Sequence, residues 1–491
     1  MSLQGLSEIV LRESVLARAL EDAGDASSVG LTAPPAIRPF LVHGLVQAGR
    51  TVLAVPATSR EAEDLVAMLG DLLDPADVAY YPSWETLPHE RLSPRSDTVG
   101  RRLAVLRRLA HPGSDASNGP VKVVVAPVRS VLQPQVKGLA DLEPVELVKG
   151  SEAPLDDVVE RLAGAAYSRV DMVEKRGEFA VRGGIVDVFP PTEEHPLRVE
   201  FWGDEVEEIR AFSVADQRTL EAVDRVWAPP CRELLLTDEV RRRAAALAEQ
   251  HPALAEICER IAQGQAVEGM ESLTPALVDD MELLVDLLPD DTTVLVLDPE
   301  RARSRARDLV ATSEEFLAAS WAAAASGGEA PVDLAAASYR SLEEVRDHAL
   351  GRGQAWWSLS PFGLDAADES GAEGESQEVA VAPVDSYRGE VPRAIEDIRA
   401  WLRTSSRVVL VSEGQGTSAR MAELLRDADI PVREVESILQ PEDAPEGIVV
   451  VTTGTLAHGF RDEAQCLAVL TGEDILGQKS STKDMRRMPT R

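Results

Sequence analysis

Apolar positions at helical spacing open the chain. Leu6, Ile9, Val10, Val15 and Leu16 predict one amphipathic helix over Ser7 to Leu20. Short β-prone runs then alternate with helical periods. Strands are predicted at Val29 to Leu31, Thr51 to Val55, Val78 to Tyr81 and Val121 to Val125. Helices are predicted at Ala36 to Ala48, Ser59 to Leu73 and Ser96 to Leu109, with a short one after the last strand. Strands separated by helices imply a parallel sheet covered on its faces. The loop from Pro112 to Pro120 is polar and glycine-rich, so it belongs at the surface.

The pattern changes at Leu155. A helix from Leu155 to Ala165 leads into four short runs that alternate apolar and polar residues: "EFAV", "IVDVF", "LRVEFW" and "EEIRAF". Arg182-Gly183-Gly184 sits between the first two and Gly203-Asp204 between the last two, which predicts an antiparallel meander with glycine turns. Pro190-Pro191 stops the second strand. This is an α+β module of about 90 residues. Helices resume at Thr237 to Gln250 and Pro252 to Gln263, then a buried strand at Thr293 to Leu297. Leu364 to Glu378 is acidic, small and aperiodic, a linker by composition. Beyond it, "SSRVVLVSEGQGTSARMAELLRDADIPVREV", "GIVVVTTGTLAHGF" and "CLAVLTGEDILG" predict a second, smaller α/β domain. Gln478 to Arg491 has no core pattern and is expected to begin a linker.

With 491 residues, several domains are expected. The net charge of −34 argues against nucleic-acid binding by the chain as a whole, because phosphate contacts need a basic surface. Cys231, Cys258 and Cys466 fit neither a zinc pattern nor a disulfide framework. No run reaches transmembrane length and no signal region opens the chain, so a cytoplasmic protein without membrane contact is expected.

Catalytic chemistry is hard to place. A phosphate cradle after the first strand needs G-x-x-x-x-G-K-[ST], and the chain has "GLTAPPAIRPF", where Pro34 and Pro35 remove two N–H donors. Asp298 is expected to cap the helix that begins near Pro299. The glycines of "SEGQGTSARMAELL" are read as a strand-to-helix turn. No histidine sits at metal spacing, and no nucleophile–base set is evident. The basic segment Arg91 to Arg108 has two readings. Arg101, Arg102, Arg107 and Arg108 form either a docking face for phosphate or protein, or a solvated helix face that offsets an acidic chain; the second is preferred.

Several long stretches carry a resemblance. "YYPSWETLPHERLSPRSDTVGRRLAVLRRL", "YSRVDMVEKRGEFAVRGGIVDVFPP", "RVEFWGDEVEEIRAFSVADQRTL" and "HGFRDEAQCLAVLTGEDILG" closely resemble, in order, the N-terminal region of the bacterial transcription-repair-coupling factors. That region is itself similar to excinuclease B. The resemblance implies an α/β multidomain fold: a degenerate helicase-like parallel-sheet domain with an inserted small α+β domain, then a second smaller α/β domain. It places domain 1a at 1–140, the inserted domain 2 at 141–228 and domain 1b at 229–363. An acidic linker at 364–385, a third domain at 386–477 and the start of another linker at 478–491 follow. Excinuclease B has a working phosphate loop and a long aromatic hairpin that threads DNA; this chain departs from both.

The resemblance further implies a non-catalytic adaptor without its own cofactor, whose domain 2 binds excinuclease A. An inhibitory role in the full-length translocase is a further implication. The motor with its ATP and Mg, and the contacts to RNA polymerase and duplex DNA, are expected beyond residue 491. The positions that match the shared Y-x-R-x-D and F-x-V-R-G patterns are Arg169 and Arg182, with Phe179 and Glu178 as weaker candidates. Arg169 and Arg182 are expected on one exposed face. The competing reading pairs Arg182 with Asp171 or Glu174 inside the domain. The runner-up function is a nucleic-acid-binding module that uses Arg91 to Arg108.

Overall fold

The computed structural model describes residues 2–88, 90, 92–113, 120–325, 337–362 and 376–477, with backbone alone at 317–325. A seven-stranded sheet organises the first half. Its spatial order is Gln377–Glu378, Ser28–Thr32, Ala355–Ser360, Thr292–Leu297, Thr51–Val55, Val123–Val125 and Val78–Tyr80, with every pairing parallel. Thr292–Leu297 and Ala355–Ser360 are buried along their whole length, as parallel strands covered on both faces must be. The expected strands at 29–31, 51–55, 78–81 and 121–125 all lie in this sheet. Ala355–Ser360 is an addition to them, because two tryptophans and two serines do not spell a β-branched run.

The opening helix is two. Gln4–Val10 and Ser14–Glu21 are separated by a turn at which the buried Glu13 carboxylate accepts the N–H groups of Val15 and Leu16, both at 2.9 Å. Helical spacing alone runs across the break, since a capping glutamate does not disturb the apolar period.

The inserted module holds a six-stranded sheet in the order Thr219–Ala222, Glu205–Phe212, Leu197–Trp202, Ile185–Val188, Glu178–Arg182 and Ser168–Arg169. The helix Leu155–Gly164 covers one face. The chain enters through Val145–Val148 and leaves through Arg225–Ala228, and these two strands pair antiparallel. A small helical cluster follows, built on Asp238–Gln250 and Ala255–Ala262.

The last domain has a six-stranded mixed sheet in the order Val381–Pro383, Phe460–Asp462, Leu467–Thr471, Arg407–Ser412, Val449–Thr453 and Val432–Glu434. It is not independent of the first. Leu3, Leu6, Phe40, Ile438, Phe460 and Val469 share one buried core, and the Phe40 and Phe460 rings meet edge-on at 5.6 Å. The backbone at Ser2 and Gly5 bonds Ile438 on both sides. Asp71 accepts from Ser2 Oγ and Thr455 N–H, each at 2.7 Å. Of the expected acidic linker, 364–375 lies outside the described residues, as does 478–491. Among the described residues no helix is long and apolar enough to cross a membrane.

Candidate protein-docking site

The meander's two glycine turns share one end of its sheet. Arg182 pairs with Ile185 across Gly183-Gly184, and only Gly183 has positive φ (+60°). This is the II′ pattern, whose twist suits a two-residue hairpin. Trp202 pairs with Glu205 across Gly203-Asp204, where Gly203 has φ +62°.

The opposite end is anchored. Pro191 lies so close to the Ser96–Ala110 helix that a Cβ added to Gly100 would sit 2.3 Å from its Cβ. Ser96 Oγ donates to the Arg176 carbonyl at 3.1 Å beside it. The glycine turns therefore point away from the body of the protein.

Alternation decides which side chains can meet a partner. Phe179, Val186, Val188, Leu197 and Val199 face the helix Leu155–Gly164 and form the module's core. Phe179 is 1% exposed, so this candidate contact is corrected to a core residue. Glu178 is half-buried, and its Oε2 accepts the N–H groups of Glu174 (2.8 Å) and Lys175 (2.9 Å); it fastens the preceding turn.

Arg182 is exposed at the rim. Its Nη2 donates to the backbone carbonyl of Asp171 at 2.6 Å, not to a carboxylate of Asp171 or Glu174. Arg169 is exposed too, but it pairs with Phe179 in parallel register, and its neighbour Val170 packs on the other side with Ala180. Arg182 has the parity of Ala180. The two arginines thus belong to opposite faces of the sheet, which corrects the expectation of one shared face.

The arginine helix breaks up as a patch. Arg102 is fully buried: its Nε meets Glu233 Oε1 at 2.5 Å, and its guanidinium lies 4.3 Å from the Tyr81 ring centre. Burial alone would loosen its proton, but Glu233, with Tyr81 and Tyr339 adding to it, leaves the proton held more tightly than usual. Arg107 and Arg108 are half-buried and donate to the carbonyls of Asp141 and Ala76, while Arg101 is exposed. Arg91 lies outside the described residues. Helical spacing puts Arg102 on the apolar stripe with Val99, Leu103 and Leu106, and Glu233, 131 positions away, supplies the charge that lets it stay there.

At the end of the first strand the phosphate position is filled by protein. Ala33 N–H is spent on the Ser360 carbonyl at 2.9 Å, and Pro35–Ile37 forms a 3₁₀ turn. Asp298 lies 4.0 Å from Arg38 and accepts Arg301 N–H at 3.4 Å, the capping role expected of it. Among the described residues no cluster of three or more His, Cys, Asp or Glu could hold a metal ion.

Two residues, one buried where the module is mounted and one at its tip, lie outside the sequence-based candidates. Glu233 carries no local signal. Trp202 does carry one, an aromatic beside a glycine turn; it is 78% exposed.

Two family models match the chain: the UvrB interaction domain over residues 145–234 and the MFD, D3 domain over residues 402–475. A transcription-repair-coupling factor from Mycobacterium bovis is 45% identical over 507 aligned positions, which cover 99% of this chain and 40% of the relative. Those from Myxococcus xanthus and Escherichia coli are 30% and 26% identical, covering 92% and 82% of this chain and 38% and 34% of the relatives. The chain thus spans about 40% or less of the length of these relatives. With the two domains in order and nearly every residue aligned, these 491 residues correspond to an N-terminal region of the transcription-repair-coupling factors.

Proposed function

We propose that this chain is a non-catalytic adaptor that recruits excinuclease A to RNA polymerase stalled at DNA damage, with Arg182 at the contact. One observation carries the reading: Arg182 is exposed on the free end of the module that matches the UvrB interaction domain. A guanidinium held by a backbone carbonyl can still fork onto a partner's carboxylate, and arginine is enriched at interface hot spots. Arg169, on the other face, is the secondary contact. The absence of catalysis belongs to the same proposal, and the proline-filled phosphate position supports it. So does the resemblance of the first domain to a degenerate helicase. Translocation driven by ATP and Mg, contact with polymerase and duplex DNA, and masking of the docking surface in the resting state are proposed for the whole protein.

Calorimetric titration of purified excinuclease A into this chain tests the reading. Micromolar or tighter binding that Arg182→Ala weakens at least tenfold, with unchanged melting, is expected. No binding by the unaltered chain sinks it. Against the nucleic-acid alternative stand the burial of Arg102 and the backbone carbonyls that Arg107 and Arg108 serve, while Arg101 stays exposed.

A further inference from the structure

The face of the meander that carries Arg182 also carries Trp202. Phe179 and Val181 turn into the core on one strand, which leaves Ala180 and Arg182 on the outer side. Leu197, Val199 and Phe201 turn inward on the other, which leaves Arg198, Glu200 and Trp202 outside. The register joins the two sets: Arg182 pairs with Ile185, Ile185 with Glu200, and Phe201 N–H reaches the Gly184 carbonyl at 2.8 Å. Two strand spacings across and two residues along put Trp202 about 12 Å from Arg182. A standard interface covers about 800 Å² per partner, so one footprint holds both.

Trp202 lacks a local reason to be there. Among the described residues it is the most exposed large hydrophobic side chain. Its strand neighbours on that face are spoken for: Arg198 pairs with Asp187 at 2.7 Å, and Glu200 pairs with Arg210. These pairs neutralise the middle of the face, and its tip presents Arg182 and Trp202 beside Ile185 and the exposed Glu205. Tryptophan and arginine are the residue types most enriched at the energetic centres of interfaces, and single exposed apolar residues elsewhere need no such account.

We infer that Trp202 is the second anchor of the docking surface, seated in an apolar recess of the same protein partner whose carboxylate receives Arg182. This rests on the reading of Arg182 as a contact for excinuclease A. Continuity fixes the occupant: the indole lies within one footprint of Arg182 on the module that matches the UvrB interaction domain, whereas two copies of a chain of charge −34 repel.

Trp202→Ala and Trp202→Phe, beside Arg182→Ala, test the inference by calorimetric titration with excinuclease A. Trp202→Ala is expected to raise Kd at least tenfold and Trp202→Phe by less, with melting temperatures unchanged. Binding that Arg182→Ala weakens and Trp202→Ala leaves within twofold overturns the role of Trp202 while the docking reading stands. No binding by the unaltered chain overturns both. Concentration-dependent dimers in sedimentation, lost in Trp202→Ala, would assign the indole to a second copy and overturn the inference as well.

Discussion

Replacing Glu233 by Gln tests the buried ion pair on which the arginine helix turns. The side chains of Arg102 and Glu233 are 0% and 2% exposed, with Nε and Oε1 2.5 Å apart. The same Oε1 accepts Trp84 Nε1 at 2.9 Å, and Arg102 also donates to the Pro82 carbonyl at 3.0 Å. Gln keeps the volume and the carbonyl acceptor but removes the charge, so Arg102 stays buried without a counterion. Breaking a buried pair from one side costs about 3–5 kcal/mol; the retained acceptor puts Glu233→Gln near the lower limit, at about 3 kcal/mol. Arg102→Met should cost a similar amount, because it strands the carboxylate. Together the two changes leave no unpaired charge. The double variant should then be at least about 2 kcal/mol more stable than the sum of the single costs predicts. Urea titration followed by tryptophan fluorescence reads this as a shift in midpoint at constant slope for the transition that includes Trp84. Additivity within about 0.5 kcal/mol would show that the charges do not hold each other, and the reasoning would fail.

Gly100→Ala has a sign set by geometry: alanine favours an exposed helix by about 1 kcal/mol, but its Cβ would strike Pro191, and overpacking costs about 1–3 kcal/mol. Net destabilisation in a thermal melt, with faster proteolysis between residues 141 and 228, is expected; a stabilised variant would mean the contact yields freely. Burial, and after it the Glu13 carboxylate, push the Asp462 carboxyl above its ordinary range. The folded form then binds the proton more tightly than the unfolded one, so its contribution is fullest below the unfolded value near 3.9 and is lost as pH rises through the folded value. Asp462→Asn should flatten that slope and raise the melting temperature at pH 7; an unchanged pH profile refutes this. A steady-state phosphate-release assay, with and without duplex DNA, should find no ATP turnover, and turnover that tracks the purified chain through changes at Pro34 and Pro35 would refute the adaptor reading.

Periodicity makes most of the scaffold legible. It bounds Thr51–Val55 to the residue and Ser96–Ala110 to within one, because each has a single strong pattern and a clear cap or turn. Ala355–Ser360 escapes it, being buried on both faces and so without alternation, while its serines look like a loop. The resemblance, not periodicity, singles out Arg182. Phe179 shows the limit of carrying a motif across: the pattern F-x-V-R-G marks a strand, and along a strand alternate positions go to opposite faces, so Phe179 and Arg182 cannot both meet a partner. The helical period puts Arg102 on the apolar stripe with Val99, Leu103 and Leu106, but what neutralises it there cannot be read from local sequence. Its partner lies beyond the whole inserted module, and only the fold brings Glu233 back beneath the helix.

That long-range closure bears on how the docking end is presented. The chain leaves the inserted module at Arg225–Ala228, and within five residues Glu233 is locked onto Arg102 and Trp84. Pro191 and Ser96 fix the same side of the module a second time, against the same helix. Two attachments on one rigid helix resist rotation, which one would not. The far end is a six-stranded sheet closed by two-residue turns, so Arg182 and Trp202 have little backbone freedom left to lose on binding. Preorganisation of this kind raises affinity by lowering the cost of ordering, and it lets a small footprint with few anchors suffice. It also ties docking to the buried pair. Weakening Arg102–Glu233 without unfolding the module should loosen the mount and lower partner affinity, even though neither residue reaches the surface.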